Sequence, residues 1–195
     1  MSLRRPFTLD LVLWNPWLPT VDQVAATTEQ LALVEEVSPR PTGRPYYALL
    51  AHEPQALRKR TALMKAVMYG QEGATRADRE LAAVATSRAN GCVHCASVHA
   101  RLYAQLTKDE ATIRRLLDEG VETPLGDRER AIVDYAVKLS LNPADVTAQD
   151  LAPLRQVGLS DLAILDVTHV IGMFNWANQL FLTLGEVEPE VAPPA

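Results

Sequence analysis

From Thr75 onward the chain is punctuated as a succession of helices. Thr75 and Asp78 have the spacing of a capping box, in which a hydroxyl and an acid three residues on satisfy the first free amides of a helix. Asn90-Gly91 stops that segment, because both residues tolerate a left-handed backbone. TKDEATIRRLLDEG (107–120) is another capped segment, and DRERAIVDYAVKLSLNP (127–143) is amphipathic and stopped by Asn142-Pro143. Segments 147–157 and 160–184 each open on a hydroxyl and close on a glycine. Alternation of period two is nowhere sustained, so the spacing predicts an all-α fold without strands.

The N-terminal part is less regular. Residues 1–19, with Pro6, Pro16, Pro19, Trp14 and Trp17, predict an extended arm whose aromatic rings need a surface to bury against. A helix is expected from about Thr20 to Val37 with Val24, Leu31 and Val34 in its apolar row, followed by a loop at 38–45. Glu53-Pro54 divides Tyr46 to Tyr69, since proline suits the first turn of a helix. Leu57, Met64, Val67 and Met68 then form the buried side, and Arg58-Lys59-Arg60 reads as a solvated face.

In the segment after Thr75, Leu81, Val84 and Ala85 mark the buried side. Segment 160–184 is apolar on nearly every side, through Ile164, Val167, Ile171, Phe174 and Phe181 but also Leu165, Met173, Trp176 and Leu180. Such a helix lies at the centre of a core or at a subunit interface. EVEPEVAPPA has the composition of a disordered tail. The expected organisation is an arm (1–19), one helical domain (20–187) and a flexible tail (188–195).

At 195 residues the chain is long enough for one sizeable core. A net charge of −5 without a Lys/Arg cluster argues against a nucleic-acid partner. No apolar run reaches the ~18–20 residues of a membrane span, and Asp10 and Pro16 interrupt the only basic-then-apolar start. No membrane partner and a cytoplasmic location are therefore expected. In such a reducing compartment a lone CxxC pair is redox-active or metal-binding more often than a structural staple.

That pair stands in ELAAVATSRANGCVHCASVHA, beginning at Glu80. Thiol-based peroxide reduction needs a thiolate, a proton donor for the leaving oxygen and a second thiol. Cys92 and Cys95 share one face at a helix start, within reach of a disulfide and near the positive end of the helix dipole. His99 lies one turn beyond Cys95, so its imidazole can meet the sulfur directly or through a water. Glu80, on the preceding helix, can orient His99 if the Asn90-Gly91 turn folds the two helices antiparallel. His94 is about 100° around the helix from Cys95 and geometrically weaker.

Other readings of these residues remain open. A zinc site would take Cys92, Cys95 and His99, but no second CxxC or HxxxH completes a tetrahedral set. A c-type haem would need histidine where Ala96 stands, and a thioredoxin-type site expects a preceding strand. Inert buried thiols are a further alternative. His169 reads as a core histidine, His52 as a surface or capping group, and Asn175, Asn178 and Gln179 as packing polar groups that need partners.

Glu80, Cys92, His94, Cys95 and His99 match, position by position, the Glu-x11-Cys-x-His-Cys-x3-His motif of alkylhydroperoxidase D, and the segment resembles that part of the carboxymuconolactone decarboxylase superfamily. PYYALLAHEP, RELAAVATSRANGC and GLSDLAILDVTHVIGMFNWANQL extend the likeness to its uncharacterised peroxidase-related branch over about 45–187. The resemblance implies an all-helical, homo-oligomeric antioxidant peroxidase with the CxxC at a helix N-terminus. Cys95 would be peroxidatic and Cys92 would resolve it as an intramolecular disulfide. Glu80 and His99 would relay the proton, with His94 assisting. It implies a hydroperoxide substrate and a dithiol or lipoyl-type reductant, with a peroxiredoxin as a further partner, and no haem, metal or other cofactor. The alternatives are a disulfide reductase of a partner protein and a non-catalytic metal-binding or redox-sensing helical module.

Overall fold

The computed structural model describes residues 6–38 and 43–188; part of the expected 38–45 loop and nearly all of the expected tail lie outside them. The helices among the described residues are α1 (Thr28–Val37), α2 (Arg44–Leu50), α3 (Pro54–Tyr69), α4 (Arg76–Asn90), α5 (Val93–Thr107), α6 (Glu110–Asp118), α7 (Asp127–Leu141), α8 (Ala152–Gln156) and α9 (Asp161–Thr183). The fold is all-α in class. No single helix among the described residues is long and apolar enough to cross a membrane.

The organising element is α4, which packs against α5, α7 and α9. Every residue from Asp78 to Ser87 is buried, not only the side marked by Leu81, Val84 and Ala85. The cause is size: Ala82, Ala83 and Ala85 let neighbouring helices approach from several directions at once. Its buried charges are each paired, as enclosed charges must be. Asp78 accepts both from the Thr75 cap and from Arg128 of α7, at 3.0 and 2.8 Å. Arg79 donates to Asp166 of α9 at 2.6 Å and to the Glu72 carbonyl at 2.7 Å.

The long apolar helix α9 plays a different part. One side is in the core, through Val167, Ile171 and Phe174, while Leu162, Leu165, Trp176 and Leu182 are exposed. His169 falls on the exposed side, contrary to the core position its sequence context suggested.

Two further expectations are corrected. The helix expected from Thr20 to Val37 is broken: Val21–Gln23 is one 3-10 turn, and α1 starts only after Thr27, whose hydroxyl accepts from the Gln30 amide. Its buried side is Leu33, Val34 and Val37, and Val24 is exposed, because the Thr27 cap resets the phase of the row.

Strands also occur where none were expected. β1 (Trp14–Pro16) pairs antiparallel with β2 (Gly185–Val187), in the register Trp14↔Val187 and Pro16↔Gly185. Three residues on each side are too few to show alternation, and their partners come from opposite ends of the chain. Trp14 anchors the pair: its indole N–H donates to the Phe181 carbonyl at 2.9 Å, and its ring meets Phe181 and Tyr46 edge-on at 5.2 and 5.9 Å. A Cβ at Gly185 would collide with that ring, so the strand crossing requires glycine. Trp17, by contrast, is exposed.

Candidate active site

The centre forms where α4 turns back into α5. Gly91 adopts φ +81°, a left-handed value suited to glycine, and Cys92 N–H donates to the Ser87 carbonyl at 2.8 Å. This tight reversal makes Cys92 the N-cap of α5 and leaves Cys95 in its first turn. Both cysteines are free thiols and buried, with Cys95 only 4% exposed. Burial and then the adjacent Cys92 thiol push the Cys95 thiol well above its ordinary range, against the opposing charge of Arg60.

Glu80 is brought to His99 by the antiparallel packing of α4 on α5. His99 Nδ1–H donates to Glu80 Oε2 at 2.5 Å, and Arg76 Nε–H donates to Oε1 at 2.6 Å. Burial alone would raise the Glu80 carboxyl; His99 and Arg76 outweigh it and hold the carboxyl below its usual range. Phe174 of α9 meets the His99 ring edge-on at 4.5 Å and fixes its plane. With Nδ1 committed to the carboxylate, Nε2 is the nitrogen left to accept a proton. Among the described residues no hydrogen bond joins the ring directly to either thiol.

His94 is held elsewhere. Its Nδ1–H donates to the Val12 carbonyl at 3.0 Å, and its ring stacks on Phe181 at 4.6 Å. Burial lowers its pKa to about 4, with His99 and Arg101 adding to that and the Val12 bond opposing it. Ser97 donates to the Asp10 carbonyl and Arg101 to the Leu9 carbonyl, so one face of α5 holds the segment preceding β1. His94 thereby ties the N-terminal segment to the cysteine helix.

Residues 54–138 match the carboxymuconolactone decarboxylase family. The fold is similar to the alkylhydroperoxidase D core of an uncharacterised peroxidase-related protein from Ralstonia eutropha JMP134, at 23% identity over 88% of this chain and 90% of that one, with TM-score 0.72. It is also similar to an uncharacterised peroxidase-related protein from Silicibacter sp. TM1040, at 25% identity over 95% of each chain and TM-score 0.68. The fold is alkylhydroperoxidase D-like, and segment 54–138 within it is similar to the carboxymuconolactone decarboxylase family. The fold is shared more widely, by the debrominase Bmp8 at 16% identity over 88% and 89% of the chains, with TM-score 0.63. Comparison with curated proteins gives no match.

One buried charge of α3 was not expected from the sequence. Arg60, assigned there to a solvated basic face, is only 6% exposed. Its guanidinium lies over the rings of Tyr46 and Tyr47 at 5.2 and 5.6 Å from their centroids. A basic triplet gives no signal that its third member points inward; the tyrosines that receive it come from α2. Burial works against its charge, but Tyr46 and Tyr47 outweigh that and keep it protonated.

Of the polar groups of α9, Asn175 and the Oδ1 of Asn178 find partners, while the buried Nδ2 of Asn178 has none among the described residues. Asn90 donates to Asn175 at 2.7 Å, and Ser87 donates to the buried Asn178 at 3.2 Å. His52 uses Nε2 to donate to the Pro19 carbonyl at 2.9 Å and is exposed. Among the described residues no three His, Cys, Asp or Glu side chains are grouped to hold a metal ion.

Proposed function

We propose that the protein is a thiol-dependent peroxidase working through Cys95 and Cys92. The observation that carries this reading is the Glu80–His99 hydrogen bond, which leaves a basic nitrogen one helical turn from Cys95. His99 Nε2 takes the Cys95 proton through a water, and the thiolate attacks the terminal oxygen of a hydroperoxide. The O–O bond breaks, Cys95 becomes a sulfenic acid, and the alkoxide recovers the proton as an alcohol. Cys92 then attacks the sulfenic sulfur, releasing water and forming a disulfide that an external dithiol reduces.

The position of Cys95 in the first turn of α5 gives it the helix dipole, which works against the upward push of burial on its thiol and leaves His99 to remove the proton. Burial of both thiols favours a small substrate over the disulfide of a partner protein, whose sulfur would have to reach them. We assign His94 to holding Val12 rather than to proton transfer, because its Nδ1–H is committed to that carbonyl and burial makes the ring a weak base. The exposed Leu162, Leu165, Trp176 and Leu182 of α9 support a homo-oligomer.

The test is a thiol count with intact mass, before and after one equivalent of an organic hydroperoxide. Loss of two thiols and about two mass units, reversed by a dithiol and absent in Cys95→Ser, is the expected result. Two thiols that survive unchanged would overturn the reading.

A further inference from the structure

We infer that the apolar cavity reaching Arg60 is a binding site for an aliphatic carboxylate, and that Arg60 holds the carboxylate while the apolar walls hold the hydrocarbon chain. The site is separate from the thiol centre: none of Glu80, Cys92, His94, Cys95 and His99 lines it. It does not depend on the peroxidase reading.

An enclosed guanidinium ordinarily has a carboxylate partner, because an uncompensated buried charge is strongly destabilising. The other enclosed charges obey this rule: Asp78 has Arg128, Arg79 has Asp166, and Glu80 has Arg76 and His99. Arg60, only 6% exposed, does not. Among the described residues no carboxylate pairs with it, and its buried Nε has no hydrogen-bond partner. The rings of Tyr46 and Tyr47 face the guanidinium, but phenols are uncharged at neutral pH. The buried Tyr46 hydroxyl is also without a partner, so two donors in this part of the core lack an acceptor.

The cavity gives an acceptor access to this place. It has a volume of about 500 Å³, within the ~300–1,000 Å³ of small-molecule sites. Its walls include Leu49 of α2, Leu57 of α3, Trp176 of α9 and Leu184. Ala56 and Trp176 are exposed, whereas Leu49, Leu57 and Arg60 are buried. The cavity therefore runs from the surface to the enclosed cation.

Charge selects the ligand. Arg60 is the only Lys or Arg in the lining, and the other polar side chains there are His52 and Glu53. His52 commits Nε2 to the Pro19 carbonyl; Glu53 is exposed and forms no ion pair with Arg60. One cation matches one negative charge, and the guanidinium fork fits the two oxygens of a carboxylate. A phosphate monoester would bring a second, uncompensated charge between apolar walls and beside Glu53. An alcohol would leave the guanidinium without its counter-charge. A concave site with its cation at the floor suits a free molecule better than the surface of a second copy of the chain.

The experiment is calorimetric titration of the full chain at pH 7.5 with decanoate below its micelle concentration, and with decanol, decyl phosphate and acetate. Decanoate is expected to bind once per chain. Decanol and decyl phosphate should bind about 10-fold more weakly or worse, and acetate should not saturate. Arg60→Met should weaken decanoate about 10-fold or more and leave decanol unchanged; a merely structural arginine would move both. Arg60→Lys should fall between Met and wild type for decanoate. Ala56→Trp, which fills the cavity, should weaken decanoate and decanol alike. Equal affinity of wild type for decanoate and decanol, many decanoates per chain, or decanoate binding untouched by Arg60→Met would overturn the assignment. So would a wild type that does not bind decanoate and an oligomer that light scattering shows to dissociate in Arg60→Met, which would give the cavity to a second copy. Should Arg60→Met not fold, the contrast of decanoate with decanol in wild type and the loss in Ala56→Trp decide the same points. No readout involves peroxide, so failure of the thiol chemistry and failure of this site are told apart.

Discussion

Glu80 and His99 stand nineteen residues apart and meet at 2.5 Å, the carboxylate fully enclosed and the imidazole partly open to solvent. The carboxylate is shared: Arg76 holds one oxygen and His99 the other. It is therefore anchored independently of the histidine it orients, and the ring is fixed in the tautomer that leaves Nε2 free.

Glu80→Gln keeps the shape of this contact but removes its charge and allows the wrong tautomer. Peroxide turnover should fall by about 10²-fold or more, with Cys95 still oxidisable by a large excess of peroxide. His99→Gln should show a similar loss. Stopped-flow measurement of thiol oxidation checks both, and a rate within threefold of wild type in either variant would remove the relay from the mechanism.

Stability should depend on pH through His94. Its pKa is about 4 when folded, against an ordinary value of 6.5. The unfolded chain thus binds the extra proton between those values, and stability present above pH 6.5 is lost as pH falls toward 4. The full shift corresponds to about 3 kcal/mol. Urea unfolding at pH 7 and pH 4.5 should show most of that loss in wild type and a flatter profile in His94→Gln. Parallel profiles would contradict the neutral buried histidine.

Trp14 closes the two ends of the chain on each other. Trp14→Ala should cost about 3–5 kcal/mol through the lost ring and cavity. Trp14→Phe should cost about 1–2 kcal/mol, mainly through the orphaned Phe181 carbonyl. Thermal unfolding checks the order, and a melting temperature unchanged in Trp14→Ala would mean the strand pair does not contribute to the fold.

Asp78 serves the helix cap and the Arg128 pair with one carboxylate. Asp78→Ala should destabilise by about 3 kcal/mol, and Asp78→Asn by less because the cap survives. Equal losses in the two variants would show that the ion pair dominates and the cap adds nothing.

Much of the helix plan and the grouping of the candidate site were legible in the sequence because they rest on local physics. Caps such as Thr75/Asp78, stops such as Asn90-Gly91 and the proline at Pro54 act within one turn of chain, so α3, α4 and α5 begin and end close to where those residues stand. Even the approach of Glu80 to His99 follows from one tight turn between two adjacent helices. What local pattern could not convey depends on partners remote in sequence. That α4 is enclosed all round, while α9 exposes one apolar side, was settled by which helices the alanines admit. That Trp14 and Gly185 form a strand pair was settled by the meeting of opposite ends of the chain. That Arg60 turns inward was settled by Tyr46 and Tyr47 of another helix. Sequence spacing governs interactions within a helix; which charges and rings are enclosed is a property of the packed assembly, and only the tertiary structure decides it.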